Sequence, residues 1–296
     1  MKSFDFLWAW IISTIFISSI HSIRFATYNI QSGSNIEHIY NLTVTANEIQ
    51  QLNVDFIAMQ EVDNLTIRHP ADQTTFIAEF NKKQPFEFYH FEKMRNFQNG
   101  GYGIAILSKQ PTIKRVLTYH YNHTTPEQCL DQKDGDYCQG LIMLEISHPI
   151  RNFHNLSIYF GTTHLGIGLN GSQQLNEAKQ IVQWVSNNII GVTKTPYIIL
   201  MTGDYNSIPT DETIEQVMRS LFSDLWLEKD FCRQIVDPTN VNGYTFDSLH
   251  PSKRIDYFFM FKSRDFPSEI QFNCEIQVVS TLASDHRPVV LNFDLF

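Results

Sequence analysis

The sequence predicts a layered α/β fold. Short apolar runs outnumber helical stripes, the stripes fall between the runs, and no repeat or low-complexity linker divides residues 23–296. Elements in that order bury their apolar faces most readily as sheets covered by helices. "IRFATYNI" is the first β-rich run, and "IEHIYNLTVTANEIQQL" follows with Ile39, Leu42, Ala46, Ile49 and Leu52 at helical spacing. "VDFIAMQE" is a continuous apolar run, as expected of a strand buried on both faces. "GIAILSK", "LIMLEIS" and "LSIYFGTTHL" read as further strands. Ser172 is the expected N-cap of a helix with Leu175, Ala178, Ile181, Val182 and Val185 on one stripe. "YIILMTGDYN" is a strand ending in charge, and Thr210 is the expected cap of a helix burying Ile214, Val217, Met218 and Leu221. "RIDYFFMF", "EIQVVS" and "RPVVLNFDLF" complete the strands.

With 43% hydrophobic and 13% aromatic residues, the 296-residue chain can build a large core. Its net charge of −9 argues against a passive nucleic-acid module more strongly than against an enzyme whose divalent cation supplies local positive charge. Lys2 precedes an apolar run over roughly Phe6–Ile20, with small and polar residues after it. Residues 1–22 are therefore expected to be a signal peptide cut after Ser22, which makes 23–296 one secreted or lumenal domain. Cys129, Cys138, Cys232 and Cys274 allow three pairings, of which the local Cys129–Cys138 bridge is preferred. Zinc ligation is the alternative, and neither spacing nor nearby histidines favour it. Sequons at Asn41, Asn64, Asn122, Asn155 and Asn170 are compatible with a glycoprotein.

Polar residues recur where apolar strands end. Asn29 closes the first strand, Glu61 follows "VDFIAMQ", His164 closes "YFGTTH", and Asp204 and Asn206 lie in "GDYN". Asp256 interrupts "KRIDYFF", and Asp285 and His286 precede the last strand. Taken singly, such residues are turn formers, caps or hydrogen-bonded structural groups. Recurrence changes the reading, because strand-end residues of α/β sheets converge on one crevice. Carboxylate and amide oxygens without cysteine suit a hard cation, Mg²⁺ or Mn²⁺. Histidines oriented by carboxylates add proton transfer near neutral pH, so the set suits phosphodiester hydrolysis.

In the order "TYNI", "QEV", "GGYGIAILS", "GTTHLG", "GDYN", "RIDYFF" and "SDHRPV", the chain resembles the endonuclease/exonuclease/phosphatase superfamily with its DNase I-like fold. The resemblance implies a four-layer sandwich, two mixed β-sheets face to face with helices outside. It also implies Glu61 as the main metal ligand, with Asn29 and Asp285 close to the same ion. Asp204 and Asn206 would position water and phosphate. His286, oriented by Asp256, would act as base or grip the phosphate, and His164 would serve the leaving side. Tyr102 of the glycine-rich rim, and Arg254 with its neighbour Lys253, are candidate substrate contacts; a tight turn and a solvated strand start are the bland readings. No early arginine occupies the helix after "THLG", where Gln173, Gln174 and Glu177 stand.

The function expected is a secreted, metal-dependent phosphodiesterase. Only 22 Lys plus Arg oppose 31 Asp plus Glu, with no basic cluster, so a lipid or small-headgroup substrate is expected over nucleic acid. A DNase I-like endonuclease and an inactive binding module of the same fold are the alternatives. No stable protein partner is implied, and a monomer is expected.

Overall fold

Alternation along β1 (His21–Asn29) divides the molecule into two apolar layers. Phe25 joins the core between the sheets, whereas Ala26, Tyr28 and Ile30 join a second core beneath helices. The computed structural model describes residues 21–110, 112–122, 139–147 and 156–296. β1 therefore begins two residues before the expected Ile23 start. The expected leader otherwise lies outside the described residues, as do Cys129, Cys138 and Asn155.

The remaining strands are β2 (Phe56–Asn64), β3 (Phe88–Phe97), β4 (Gly100–Ser108), β5 (Ile113–His120), β6 (Gly140–Ser147) and β7 (Ser157–His164). After these come β8 (Tyr197–Asp204), β9 (Ser223–Asp224), β10 (Cys232–Ile235), β11 (Asp256–Lys262), β12 (Phe272–Val278) and β13 (Val289–Leu295). One sheet has the order β10-β12-β13-β1-β2-β4-β3 and the other β5-β6-β7-β8-β11-β9. Both are mixed: β1–β2, β10–β12 and β7–β8 pair in parallel, the rest antiparallel.

The sheets meet through Phe25, Phe56, Ile106, Leu144, Phe160 and Leu200. The Phe25 and Phe160 ring centroids lie 4.9 Å apart, one ring from each sheet. Deleting either ring would cost about 3–5 kcal/mol. Helices α1 (Leu42–Leu52) and α2 (Gln73–Glu79) cover the outside of the first sheet, and α3 (Ser172–Val185) covers the second. The result is the expected four-layer sandwich.

Local departures have local causes. α1 starts at Leu42 because the Asn41 side chain caps it by accepting from the Val44 N–H, so Ile39 stays outside the helix and exposed. Ser172 is the first residue of α3, preceded by a left-handed Gly171 rather than acting as its cap. The helix expected after Thr210 is a wide turn over Thr213–Val217 followed by a tight one over Met218–Ser220. Ile214 and Met218 are buried as expected. β3 and β5, not anticipated from the sequence, are edge strands with polar outer faces and weak apolar signals. Cys232 and Cys274 oppose each other across β10 and β12 and form a disulfide. It closes a separation of 42 residues, worth about 4 kcal/mol in the chain-entropy account.

Candidate active site

The site grows from the strand alternation of the central core. Along β1, β7 and β8 the inter-sheet positions read Phe25-Thr27-Asn29, Phe160-Thr162-His164 and Leu200-Thr202-Asp204. Each strand thus passes from core side chain to hydroxyl to functional group, all on one face. The hydroxyl layer is fully buried and satisfied: Gln60 Nε2 donates to Thr27 Oγ1 at 3.0 Å and to Thr162 Oγ1 at 2.8 Å, across the two sheets. Thr202 donates to the Tyr257 carbonyl at 2.6 Å. This layer grades the apolar core into a charged cleft.

Glu61 departs from strict alternation. A bulge between Met59 and Val62, with Glu61 at φ +54°, turns its side chain toward the cleft while Val62 returns to the core. Gly203 permits close pairing of β7 with β8: at φ +133°, a Cβ there would lie 2.0 Å from the Thr163 carbonyl oxygen. Ser284 fixes the loop before β13, donating to the Asn29 carbonyl at 2.7 Å and accepting from the His286 N–H at 3.1 Å.

One cleft of 750 Å³ gathers Glu61, His164, Asp204, Asn206, Asp285 and His286. Asn29 and Asp256, both buried, hold these groups from behind. Asn29 Nδ2 donates to Asp204 Oδ2 at 3.0 Å and Glu61 Oε1 at 3.1 Å, and lies 3.5 Å from His286 Nε2. Its Oδ1 accepts from the Gln31 N–H, so Asn29 faces the site as a donor. His286 Nδ1 is 2.9 Å from Asp256 Oδ2, and its Nε2 is 3.6 Å from Asp204 Oδ2. Burial alone would depress the imidazole, but Asp256 and Asp204 outweigh it and hold His286 up at about 10. His164 Nε2 sits 3.1 Å from Asn206 Nδ2 and 3.5 Å from Asp204 Oδ2. Asn206 donates to His164 Nε2, while His164 Nδ1 is buried with no hydrogen-bond partner among the described residues.

Glu61 and Asp285 make the better cation site. Burial pushes the Asp285 carboxyl up, against the pull of His286, and Glu61 pushes it further. Neither carboxylate pairs with a lysine or arginine among the described residues. Two oxygen ligands that repel each other, with no lysine or arginine paired to either, suit a hard divalent cation. Donor atoms of Asp204, Asp256 and His286 also lie within 4.8 Å of one another. There, however, His286 Nδ1 and both Asp204 oxygens are already engaged in hydrogen bonds.

The three expected substrate contacts diverge. Tyr102 lines the cleft, its ring 4.6 Å from the Arg95 guanidinium. Arg254 is not brought to the cleft: it is buried, gripping Asp224 through Nη1 and Nη2 at 3.0 and 2.8 Å. Its neighbour Lys253 is exposed and lines the cleft instead. Nothing in the sequence pointed to Arg68, which reaches the cleft from the loop after β2. Asp63, two residues beyond Glu61, accepts from Arg68 Nε at 2.7 Å and Nη2 at 2.9 Å and holds it there.

Residues 26–286 match the model of the Endonuclease/Exonuclease/phosphatase family. Among curated proteins, none matches the chain in sequence. Solved structures share the fold at low identity. An endonuclease/exonuclease/phosphatase from Beutenbergia cavernae DSM 12333 is 17% identical with a TM-score of 0.68, over 93% of this chain and 72% of that one. A mannosyl-6-phosphatase from Bacteroides thetaiotaomicron VPI-5482 is 16% identical with a TM-score of 0.64, over 92% and 99%. TDP2 from D. rerio, complexed with a single-strand DNA product, is 15% identical with a TM-score of 0.60, over 92% and 98%.

Proposed function

Because the chain belongs to the endonuclease/exonuclease/phosphatase family, hydrolases of phosphoester bonds that generally use a divalent metal, we propose that it is a metal-dependent phosphodiesterase. We further propose a lipid or small-headgroup substrate, and an N-terminal signal over residues 1–22 that sends the protein out of the cell. The observation that carries the reading is the unbroken chain Asp256–His286–Asp204–Asn29–Glu61 at one cleft.

Glu61 and Asp285 would hold Mg²⁺ or Mn²⁺. Such a cation would supply neutralisation of the phosphoryl charge. The residues divide the remaining work. His286, kept charged by Asp256, grips a phosphoryl oxygen through Nε2. Asp204 Oδ2, central to both histidines, orients and deprotonates the attacking water. Asn206 keeps His164 in place beside the leaving group.

A nuclease reading is favoured by one observation: Arg68 and Arg95 lie over the Phe97 ring at 4.6 and 5.0 Å, a cationic and aromatic surface that could receive a base. Incubating the protein with sphingomyelin and with plasmid DNA, each with Mg²⁺ and with EDTA, separates the two. Metal-dependent release of phosphocholine supports the proposal, and DNA nicking alone replaces it with the nuclease. If neither is cleaved, nor a soluble aryl phosphodiester, the hydrolase reading fails.

A further inference from the structure

Exposed aliphatic side chains are concentrated at the end of the sandwich that bears the cleft. Ile39 follows β1, Leu65 and Ile67 follow β2, Ile167 follows β7, Leu249 precedes β11, and Leu282 precedes β13. They are far from marginal: Ile67 is 70% exposed, Ile167 74%, Leu249 52% and Leu282 54%. Away from the cleft, Val192 and Phe296 lie on opposite-end segments, and Leu227 lies on the connection into β10.

Backbone contacts tie neighbouring loops of this end together. Ile36 N–H meets the Leu282 carbonyl at 3.4 Å, Ser248 N–H the Asp285 carbonyl at 2.8 Å, and Ile67 N–H the Gln98 carbonyl at 2.9 Å. The apolar character continues inward, since Ile167 and Ile208 line the cleft itself.

We infer that this end of the sandwich seats the protein on a zwitterionic lipid surface, so that the cleft opens onto headgroup phosphates. The inference rests on the phosphodiesterase reading and names the state in which the substrate is met. Three observations select this occupant. The aliphatic groups stand on separate loop tips, whereas a folded partner needs a contiguous complementary patch of roughly 800 Å². A fluid interface accepts separated tips, each sinking into the acyl boundary. Arg68 and Lys253 line the cleft among those loops and offer positive charge to lipid phosphates there. The net charge of −9 opposes an anionic membrane, which leaves a neutral zwitterionic one.

The test uses the full chain and phosphatidylcholine vesicles, pelleted in EDTA so that no turnover intervenes. The comparison is Ile67→Ser/Leu249→Ser/Leu282→Ser, three positions that do not line the cleft, with near-UV circular dichroism to verify folding. Wild type should pellet with the vesicles. The folded triple variant should partition at least about 100-fold more weakly, about tenfold per residue at most sites. Its turnover of soluble bis(4-nitrophenyl) phosphate with Mg²⁺ should stay at the wild-type rate. Undiminished binding by the variant would place the contact elsewhere, on the N-terminal apolar run for example, and overturn the inference. Binding confined to phosphatidylserine vesicles, or none at all, would overturn it equally. Vesicle binding by a wild type that hydrolyses nothing, lost in the folded triple variant, would leave the surface standing and refute the catalytic reading.

Discussion

Asn29 donates its amide to Asp204 across the two sheets, at 3.0 Å and with both side chains buried. The same nitrogen reaches Glu61, so a neutral donor spaces two carboxylates that would otherwise repel. Asn29→Asp separates donor from ligand, because it keeps an oxygen and loses the N–H. The expected outcome is a fall in kcat of about 100-fold with Mg²⁺ saturating. In EDTA the variant should also lose roughly 3 kcal/mol of stability, measured by urea unfolding, since a third carboxylate is then buried without a partner. Near-normal kcat would instead make position 29 an oxygen ligand.

His286 depends on Asp256 for both orientation and charge. In Asp256→Asn the imidazole loses its strongest carboxylate partner, and its proton should then leave at lower pH. Turnover of a soluble phosphodiester should drop on the order of 10³-fold, as for other histidines deprived of their orienting carboxylate. The alkaline limb of the pH–rate profile should move to lower pH. An unshifted limb would show that His286 is not the titrating group.

Much of this site could be read in the sequence, and what could not has a physical reason. Asn29, His164 and Asp204 each follow a buried threonine by two residues, so period-two alternation alone places them on the inner face. Glu61 breaks that period, and only the bulge puts it beside Asp285; here the resemblance carried what alternation could not. Arg254 and Lys253 show the limit most clearly. Adjacent residues before an interrupted strand offer no means of deciding which one turns inward, and the deciding partner, Asp224, lies 30 residues away. Ser284 and Arg68 were silent for the same reason, since their roles come from tertiary contacts with Asn29 and Asp63. The edge strands β3 and β5 escaped because half-exposed strands carry little apolar signal.

Between those edge strands, Glu92 of β3 links the sheets. His120 Nε2 of β5 lies 2.8 Å from Glu92 Oε1, and His90 Nε2 lies 3.0 Å from Oε2. The His120 and His90 imidazoles hold the Glu92 carboxyl down at about 2. A depressed folded value means the contribution is complete above about pH 4.5 and is lost as pH falls toward 2. Because Glu92 is half exposed, solvent screening limits it to about 1 kcal/mol, or about 2–4 °C in Tm. Glu92→Gln should therefore melt below wild type at pH 6, with the gap closing as pH approaches 2. A gap that is constant across that range would mean the carboxylate charge contributes nothing.

Arg254 and Lys253 supply the sharpest contrast between stability and activity. Arg254 shares Asp224 with Arg219, whose Nη2 donates at 3.0 Å, and its guanidinium stacks 4.5 Å from the Tyr257 ring. Arg254→Met removes one of the two cations from a buried carboxylate. It should cost roughly 3 kcal/mol in urea unfolding while the folded fraction keeps wild-type kcat and KM. Lys253→Ala should do the reverse. Its ammonium faces the cleft from an exposed strand entrance, so stability should change by less than about 0.5 kcal/mol. KM for an anionic phosphodiester should rise about tenfold with kcat held, the signature of lost binding common to ground and transition states. If instead Arg254→Met raised KM in fully folded protein, Arg254 would be the substrate contact and its pairing with Asp224 would have to open during turnover.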